Sequence, residues 1–250
     1  TTTGATPGWN NATRATEVAG PWQSARVLAV RDEAPRVKTF RLALDEPTGH
    51  RAGQHYVVRL TAPDGYTASR SYSVASAPDG TGEFELTVER LEDGEVSGYL
   101  HDVVEPGDEL EVRGPIGGWF VWEDGPALLV GGGSGVVPLM AMLRLARATD
   151  RSHLVRLVAS VRTPTDLYYA EELPGPEVTV IHSRIAPPGS TRPVGRIQAD
   201  DLAPAAPLVA EGATAYVCGS TGFADAASTL LVDVGWPVER IRVERFGATG

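Results

Sequence analysis

The sequence predicts an N-terminal antiparallel β-barrel followed by a C-terminal α/β unit built on a doubly wound parallel sheet. Three observations carry this. Short runs with period-two alternation fill the first half, apolar runs alternate with helical stretches after Gly125-Pro126, and the second half opens on a strand that turns through consecutive glycines into a helix. The division places a flexible tail at residues 1–21, the barrel at 22–124 and the α/β unit at 125–250.

The tail is set apart because Thr1 to Glu17 are mostly small and polar, with no apolar period and no initiating Met, the pattern of a processed segment. Strands are then expected at Ala25–Arg31, Val37–Leu44, Tyr56–Leu60, Arg70–Ala75, Glu83–Arg90 and Glu109–Arg113. In the fifth, Phe84, Leu86 and Val88 alternate with Glu83, Glu85 and Thr87, so one face is apolar and the other wet. A helix is expected near Ser97–Val103. Beyond Pro126, strands are expected at Ala127–Val130, Leu154–Val161, Val178–Ile181, Ala215–Val217 and Arg240–Val243, with helices near Val137–Ala148, Asp166–Leu173 and Ala224–Val234.

Composition narrows the function. A net charge of -10 opposes nucleic-acid binding, which needs a basic face to displace counterions. One cysteine cannot form an intrachain disulfide or ligate an iron-sulfur cluster, and His50, His55, His101, His153 and His182 lack metal-site spacing, so no metal is expected. No apolar run reaches the roughly 18 residues of a membrane span, and a cytoplasmic protein is expected. Charge is unevenly spread: Trp22 to Tyr72 holds an excess of bases, whereas Asp79 to Asp124 holds fourteen acids against Arg90 and Arg113. This asymmetry reads either as solvated strand faces or as a basic face for an acidic partner.

The strongest local signal is Leu128-Leu129-Val130 followed by Gly131-Gly132-Gly133-Ser134-Gly135-Val136-Val137-Pro138. A buried strand turning through glycines into a helix leaves backbone N–H groups and the positive helix end free for a pyrophosphate. Proline is tolerated at the first helical turn, where its missing N–H has no intrahelical partner. Earlier lies Arg70-Ser71-Tyr72-Ser73; later come Gly94-Glu95-Val96-Ser97, with Ser97 a candidate helix N-cap, and Tyr216-Val217-Cys218-Gly219-Ser220-Thr221. Alone, the first is an ordinary strand and Cys218 a small buried hydrophobe. No serine sits in a nucleophile elbow, so hydrolysis has no support.

In this order, from Trp22 to Phe246, these motifs resemble the ferredoxin-NADP reductase family, and in particular the reductase components of bacterial oxygenases without their iron-sulfur domain. The resemblance implies FAD in the barrel, the flavin domain, and NADPH or NADH on the sheet, the pyridine-nucleotide domain. It assigns Arg70 to the flavin diphosphate, Ser71 and Tyr72 to the flavin, Ser73 to flavin N5, and Val88, Gly94, Val96, Ser97 and Phe246 to the remaining flavin contacts. Strict alternation puts Ser73 on the face opposite Arg70 and Tyr72, so local backbone help is needed. Gly133, Ser134, Gly135, Val136, Pro138, Gly219 and Thr221 are implied for the nucleotide, with Cys218 beside the nicotinamide. Ser73, Cys218 and Glu244 are the candidate catalytic residues.

The resemblance further implies that Ser183-Arg184, beyond Val178–Ile181, holds a 2'-phosphate, with Arg162 beyond the preceding strand available as a second charge. A hydroxyl and guanidinium suit that dianion, which favours NADPH, with NADH as the alternative. With twenty-one Arg in the chain, an arginine in any one loop is weak evidence. The expected function is transfer of electrons from NAD(P)H through FAD to a ferredoxin, an oxygenase component or another redox protein. A free flavin or ferric reductase and a non-enzymatic nucleotide-binding regulatory subunit remain as alternatives. A plain dehydrogenase leaves the barrel unexplained.

Overall fold

The computed structural model describes residues 20–246, so the expected tail, but for its last two residues, lies outside the described residues. Strands β1 (Gln23–Ala34), β2 (Val37–Leu44), β3 (His55–Thr61), β4 (Thr67–Ser73), β5 (Glu83–Glu89) and β6 (Glu109–Ile116) form an antiparallel sheet in the order β4-β3-β6-β1-β2-β5. Its two outer strands meet. Val74, just past β4, bridges Leu86 of β5, and the Ala75 N–H donates to the Glu85 carbonyl at 2.8 Å. Closure removes the unpaired edge and makes an inside, which Val27, Phe40, Leu42, Tyr56, Val58, Leu86 and Val112 fill. Tyr56 and Phe84 stack there at 4.1 Å between ring centroids. Helix α1 (Glu95–Asp102) packs against β3, β4 and β5.

The charge asymmetry is resolved by pairing. Arg41 binds Glu83, Arg59 binds Glu111, Arg51 reaches Glu123 at 3.4 Å and Arg31 reaches Glu85 at 3.7 Å. Arg36 and Lys38 donate to the carbonyls of Arg90 and His101. The base-rich and acid-rich stretches are cross-strand neighbours, as in the β3 to β6 register that sets Arg59 opposite Glu111. Of the two readings of the asymmetry, these pairs favour solvated strand faces, with much of the charge offset at contact distance.

The second half forms a parallel sheet, β11-β10-β7-β8-β9, from β7 (Ala127–Gly132), β8 (Val155–Val161), β9 (Val178–His182), β10 (Thr214–Ser220) and β11 (Ile241–Phe246). Its middle strands are buried along their length because helices cover both faces. These helices are α2 (Val136–Ala148), the short α3 (Ala199–Leu202) and α4 (Ala206–Ala210), and α5 (Thr221–Asp233). No described helix is long and apolar enough to cross a membrane.

The helix expected at Asp166–Leu173 does not form. Thr163 and Asp166 cap a single 3-10 turn at Pro164–Asp166, and Tyr169 then takes φ 55°, which ends helical continuation. The apolar spacing of Leu167, Tyr168 and Leu173 instead reflects packing at the junction with the barrel. There Ala52, Ala75, Phe120 and Trp122 share one apolar cluster with Val136, Val137, Met140, Met142, Tyr169 and Cys218. Tyr216 of β10 adds a hydrogen bond to the Val121 carbonyl at 2.8 Å.

Replacing Phe84 with Ala removes one ring of the stack that fills the barrel. The expected loss is about 3–5 kcal/mol of stability, read from the urea midpoint and slope. An unchanged midpoint would show that the interior is not organised around this pair.

Candidate functional site

On β4, Arg70 and Ser71 are exposed, Tyr72 is half-buried and Ser73 is buried. Ser73, Val74 and Ala75 are buried in succession because the chain leaves the sheet there to cross onto β5. Strict in–out alternation therefore ends at Ser73. Arg70 donates from Nη1 to the Ser69 carbonyl at 2.7 Å and forms no ion pair among the described residues. Burial pushes the Tyr72 hydroxyl up to about 12, against the lowering effect of Arg70, so it stays protonated and able to donate.

Helix α1 begins beside this strand, and its start corrects one expectation. Ser97 is not the N-cap; Gly94 is, and Ser97 is the third helical residue. The Ser97 hydroxyl accepts from the Leu91 N–H at 3.2 Å and donates to the Gly94 carbonyl at 3.3 Å, bracing the loop that enters the helix. A Cβ on Gly94 would collide with that hydroxyl. No side chain caps α1, so its first N–H groups are left for another acceptor. Val96 and Val88 point into the barrel core, and the Val88 carbonyl is taken by His101 Nε2 at 2.9 Å, so both support the site through packing.

Across the junction, Gly133, at φ 55°, turns the chain from β7 into α2 through Ser134 and Gly135. Gly135 lies so close to β10 that a Cβ would strike the Cys218 carbonyl, and a Cβ on Gly132 would sit 2.6 Å from the Phe223 ring. Neither Gly132 nor Gly135 provides a side-chain cap, whereas α5 is capped by Ser220 accepting from the Phe223 N–H at 3.4 Å. Val136 and Pro138 are buried in the first turn of α2, and Thr221 opens α5 at the surface.

Cys218 pairs in register with Gly131 on one side and Glu244 on the other, and Phe246 lies opposite Ser220. The Cys218 thiol is fully buried; burial, and secondarily the Glu244 carboxylate, push it well above its ordinary value. Burial thus keeps the thiol protonated, which disfavours thiolate chemistry. What Cys218 offers the turn is its backbone.

The third group gathers at the ends of β8 and β9. The Ser183 N–H donates to the Val161 carbonyl at 2.8 Å and the Arg184 N–H to the Arg162 carbonyl at 2.9 Å, so these residues share one corner. Sequence reasoning missed Asp166, whose carboxylate is held by Thr163 and lies 3.8 Å from Arg162. The Thr-x-x-Asp spacing was the available signal.

Residues 24–121 match the oxidoreductase FAD-binding domain family, and residues 129–229 match the oxidoreductase NAD-binding domain family. The chain belongs to the ferredoxin-NADP reductase family. It is 38% identical over 155 residues to a glycine betaine monooxygenase reductase subunit of Chromohalobacter salexigens, covering 60% of this chain and 42% of that protein. It is 28% identical over 239 residues to a propane 2-monooxygenase reductase component of Rhodococcus jostii, covering 88% and 62%. The chain thus spans only part of the length of these relatives. The structure of the Amycolatopsis cytochrome P450 reductase GcoB superposes with a TM-score of 0.74 at 29% identity, covering 90% of this chain and 70% of that one.

The residues present fit both cofactors of the family. A guanidinium with no ion-pair partner among the described residues, beside an uncapped helix N-terminus, is a donor set that suits a diphosphate, and it occurs on β4 and α1. The turn at Gly133–Gly135, likewise without a side-chain cap, offers the backbone half of such a set on the sheet.

Gly135→Ala tests this fit. The added methyl meets backbone that cannot yield, so stability should fall by about 1–3 kcal/mol and nucleotide affinity by an order of magnitude or more, while flavin remains bound. Calorimetric titration with oxidised nucleotide and the flavin absorbance of the purified variant measure the two effects; wild-type nucleotide affinity would contradict the assignment.

Proposed function

We propose that the chain is an FAD-dependent NAD(P)H reductase that passes electrons to a separate redox protein, a ferredoxin, an oxygenase component or a similar acceptor. On this reading residues 22–124 hold the flavin and residues 125–250 the nucleotide. The observation that carries it is the shared apolar cluster. Ala75, two residues past Ser73, belongs to the same apolar cluster as Val136 and Val137, the first residues after the glycine turn, and Cys218. The proposed flavin strand and nucleotide turn are thereby held at one junction. The reductase relatives of monooxygenases support the choice of a protein acceptor.

When bound, FAD supplies two-electron acceptance from a reduced nicotinamide and one-electron release to the acceptor. The chain's work is placement. Arg70 and the first N–H groups of α1 neutralise the flavin diphosphate, and Ser73, buried at the end of β4, offers a hydroxyl toward flavin N5. Tyr72 covers the flavin with its ring and donates from its protonated hydroxyl. Gly133–Gly135 take the nucleotide pyrophosphate, with Thr221 adding a hydroxyl at the start of α5. Cys218 fills the floor by packing, and Glu244 and Phe246 border it from β11. The buried cluster excludes water from the meeting point, which protects a hydride in transit.

NADPH is the proposed donor. Ser183 and Arg184 share a corner with Arg162, and two guanidiniums with a hydroxyl suit a phosphate dianion. Asp166 opposes this by partly engaging Arg162, which puts most of the discrimination on Arg184.

Two measurements follow. Arg70→Ala deletes a charge-assisted contact worth about 1.5–3 kcal/mol, so FAD affinity should weaken by one to two orders of magnitude, read from flavin content after gel filtration. A variant that purifies with full flavin moves the diphosphate elsewhere. The ratio of kcat/KM for NADPH over NADH should exceed one in the wild type and drop about tenfold in Arg184→Ala. A wild-type preference for NADH would reverse the donor assignment.

A further inference from the structure

Helix α2 starts at the nucleotide turn and carries Arg144 two and a half turns later. The Arg144 side chain, only 16% exposed, reaches across the junction. Its Nη1 donates to the Ala75 carbonyl at 2.9 Å and to Glu85 Oε2 at 2.7 Å. Its other edge donates to Glu172 at 2.9 Å and 2.5 Å. These barrel acceptors are not arbitrary points. The Ala75 N–H to Glu85 carbonyl bond, beside the Val74–Leu86 bridge, is part of the barrel's closure, and Ala75 lies two positions beyond Ser73.

A second, buried link lies under the first. The Arg144 guanidinium sits 5.1 Å from the centre of the Tyr169 ring. The Tyr169 hydroxyl donates to Thr87 Oγ1 at 2.6 Å, Thr87 shares a hydrogen bond with Thr39 at 2.7 Å, and Thr39 donates to Glu33 at 3.0 Å. Tyr169, Thr39 and Thr87 are all buried.

We infer that Arg144, backed by Tyr169, is a positioning residue that sets where the nucleotide turn stands relative to the flavin strand. The inference rests on the cofactor sites proposed above. A guanidinium is a rigid planar fork, so meeting acceptors on both sides of the junction fixes an angle as well as a distance; a lysine ammonium fixes neither. The lever arm is long. From Gly135 to Arg144 α2 rises about 13 Å, so a tilt of about 5° about Arg144 moves the turn by roughly 1 Å. Misplacement of about 1 Å costs a hydride transfer on the order of 100-fold. The residue acts through geometry, since its partners are Ala75, Glu85, Glu172 and Tyr169 and it is not among the residues assigned to either cofactor.

The test uses the full chain loaded with FAD. In Arg144→Met, flavin content and the Kd for oxidised nucleotide should stay within about threefold of wild type. The rate of flavin reduction at saturating NAD(P)H, followed by stopped-flow absorbance, should fall about 10- to 100-fold, with a smaller fall in Arg144→Lys. A readout without turnover accompanies it: the flavin difference spectrum produced by saturating oxidised nucleotide should shrink in Arg144→Met. If Arg144→Met does not fold, Tyr169→Phe carries the test, since it removes one hydroxyl and keeps the ring under Arg144; a several-fold fall in rate at unchanged Kd is expected. Wild-type rates and spectra in folded variants that bind both cofactors would overturn the positioning role and leave the reductase reading intact. A wild-type chain that binds no FAD would instead strike at the reductase reading.

Discussion

Close packing at the junction of barrel and sheet is the constraint on which everything else rests. Two chemical half-sites on different sheets are useful only if their separation is fixed to a fraction of an ångström, and hinged domains do not offer that. Here Ala52, Ala75, Phe120 and Trp122 complete the same apolar cluster as the first turns of α2 and the end of β10. The protein interior is dense and resists compression, so such a cluster transmits position. Gly135 shows how little slack exists, since the turn rests directly on the Cys218 carbonyl.

Around that apolar centre, polar groups give direction to what packing alone leaves free. Apolar contacts tolerate sliding; hydrogen bonds do not. The junction therefore carries oriented links at different places: Arg144 to the closure of the barrel, Tyr168 to Glu89 at 3.0 Å, and Tyr216 to the Val121 carbonyl. The barrel surface behaves differently. The Arg41–Glu83 and Arg51–Glu123 pairs are exposed, worth about 0–1 kcal/mol each, and chiefly cancel charge.

Much of this was legible in the sequence, for identifiable reasons. The bounds of β2 were read correctly at Val37–Leu44 because its alternation is clean and its neighbours are turn residues. The glycine turn was legible because the backbone demand, φ 55° at Gly133 and no Cβ at Gly135, restricts the residue type. Errors arose where one signal has two causes. Leu167, Tyr168 and Leu173 are apolar because the junction buries them, and that spacing imitates a helix. Ser97 satisfies a loop N–H from inside the helix, which a reading limited to cap positions cannot distinguish. The charge asymmetry and the partners of Arg144 depend on strand pairing across dozens of residues, which local pattern does not encode.

One property of the junction cluster concerns chemical durability. Its members include Cys218, Met140 and Met142, which are all the sulfur atoms of the chain, and each is fully buried. A reductase that leaks electrons to oxygen generates peroxide at its own centre. Oxidation of cysteine or methionine requires access, and a sulfoxide at Met140 or Met142 would put a polar group where only apolar contact exists. By enclosing its whole sulfur content in the one cluster it can least afford to disturb, the chain shields its most oxidisable atoms from the by-product of its own proposed chemistry.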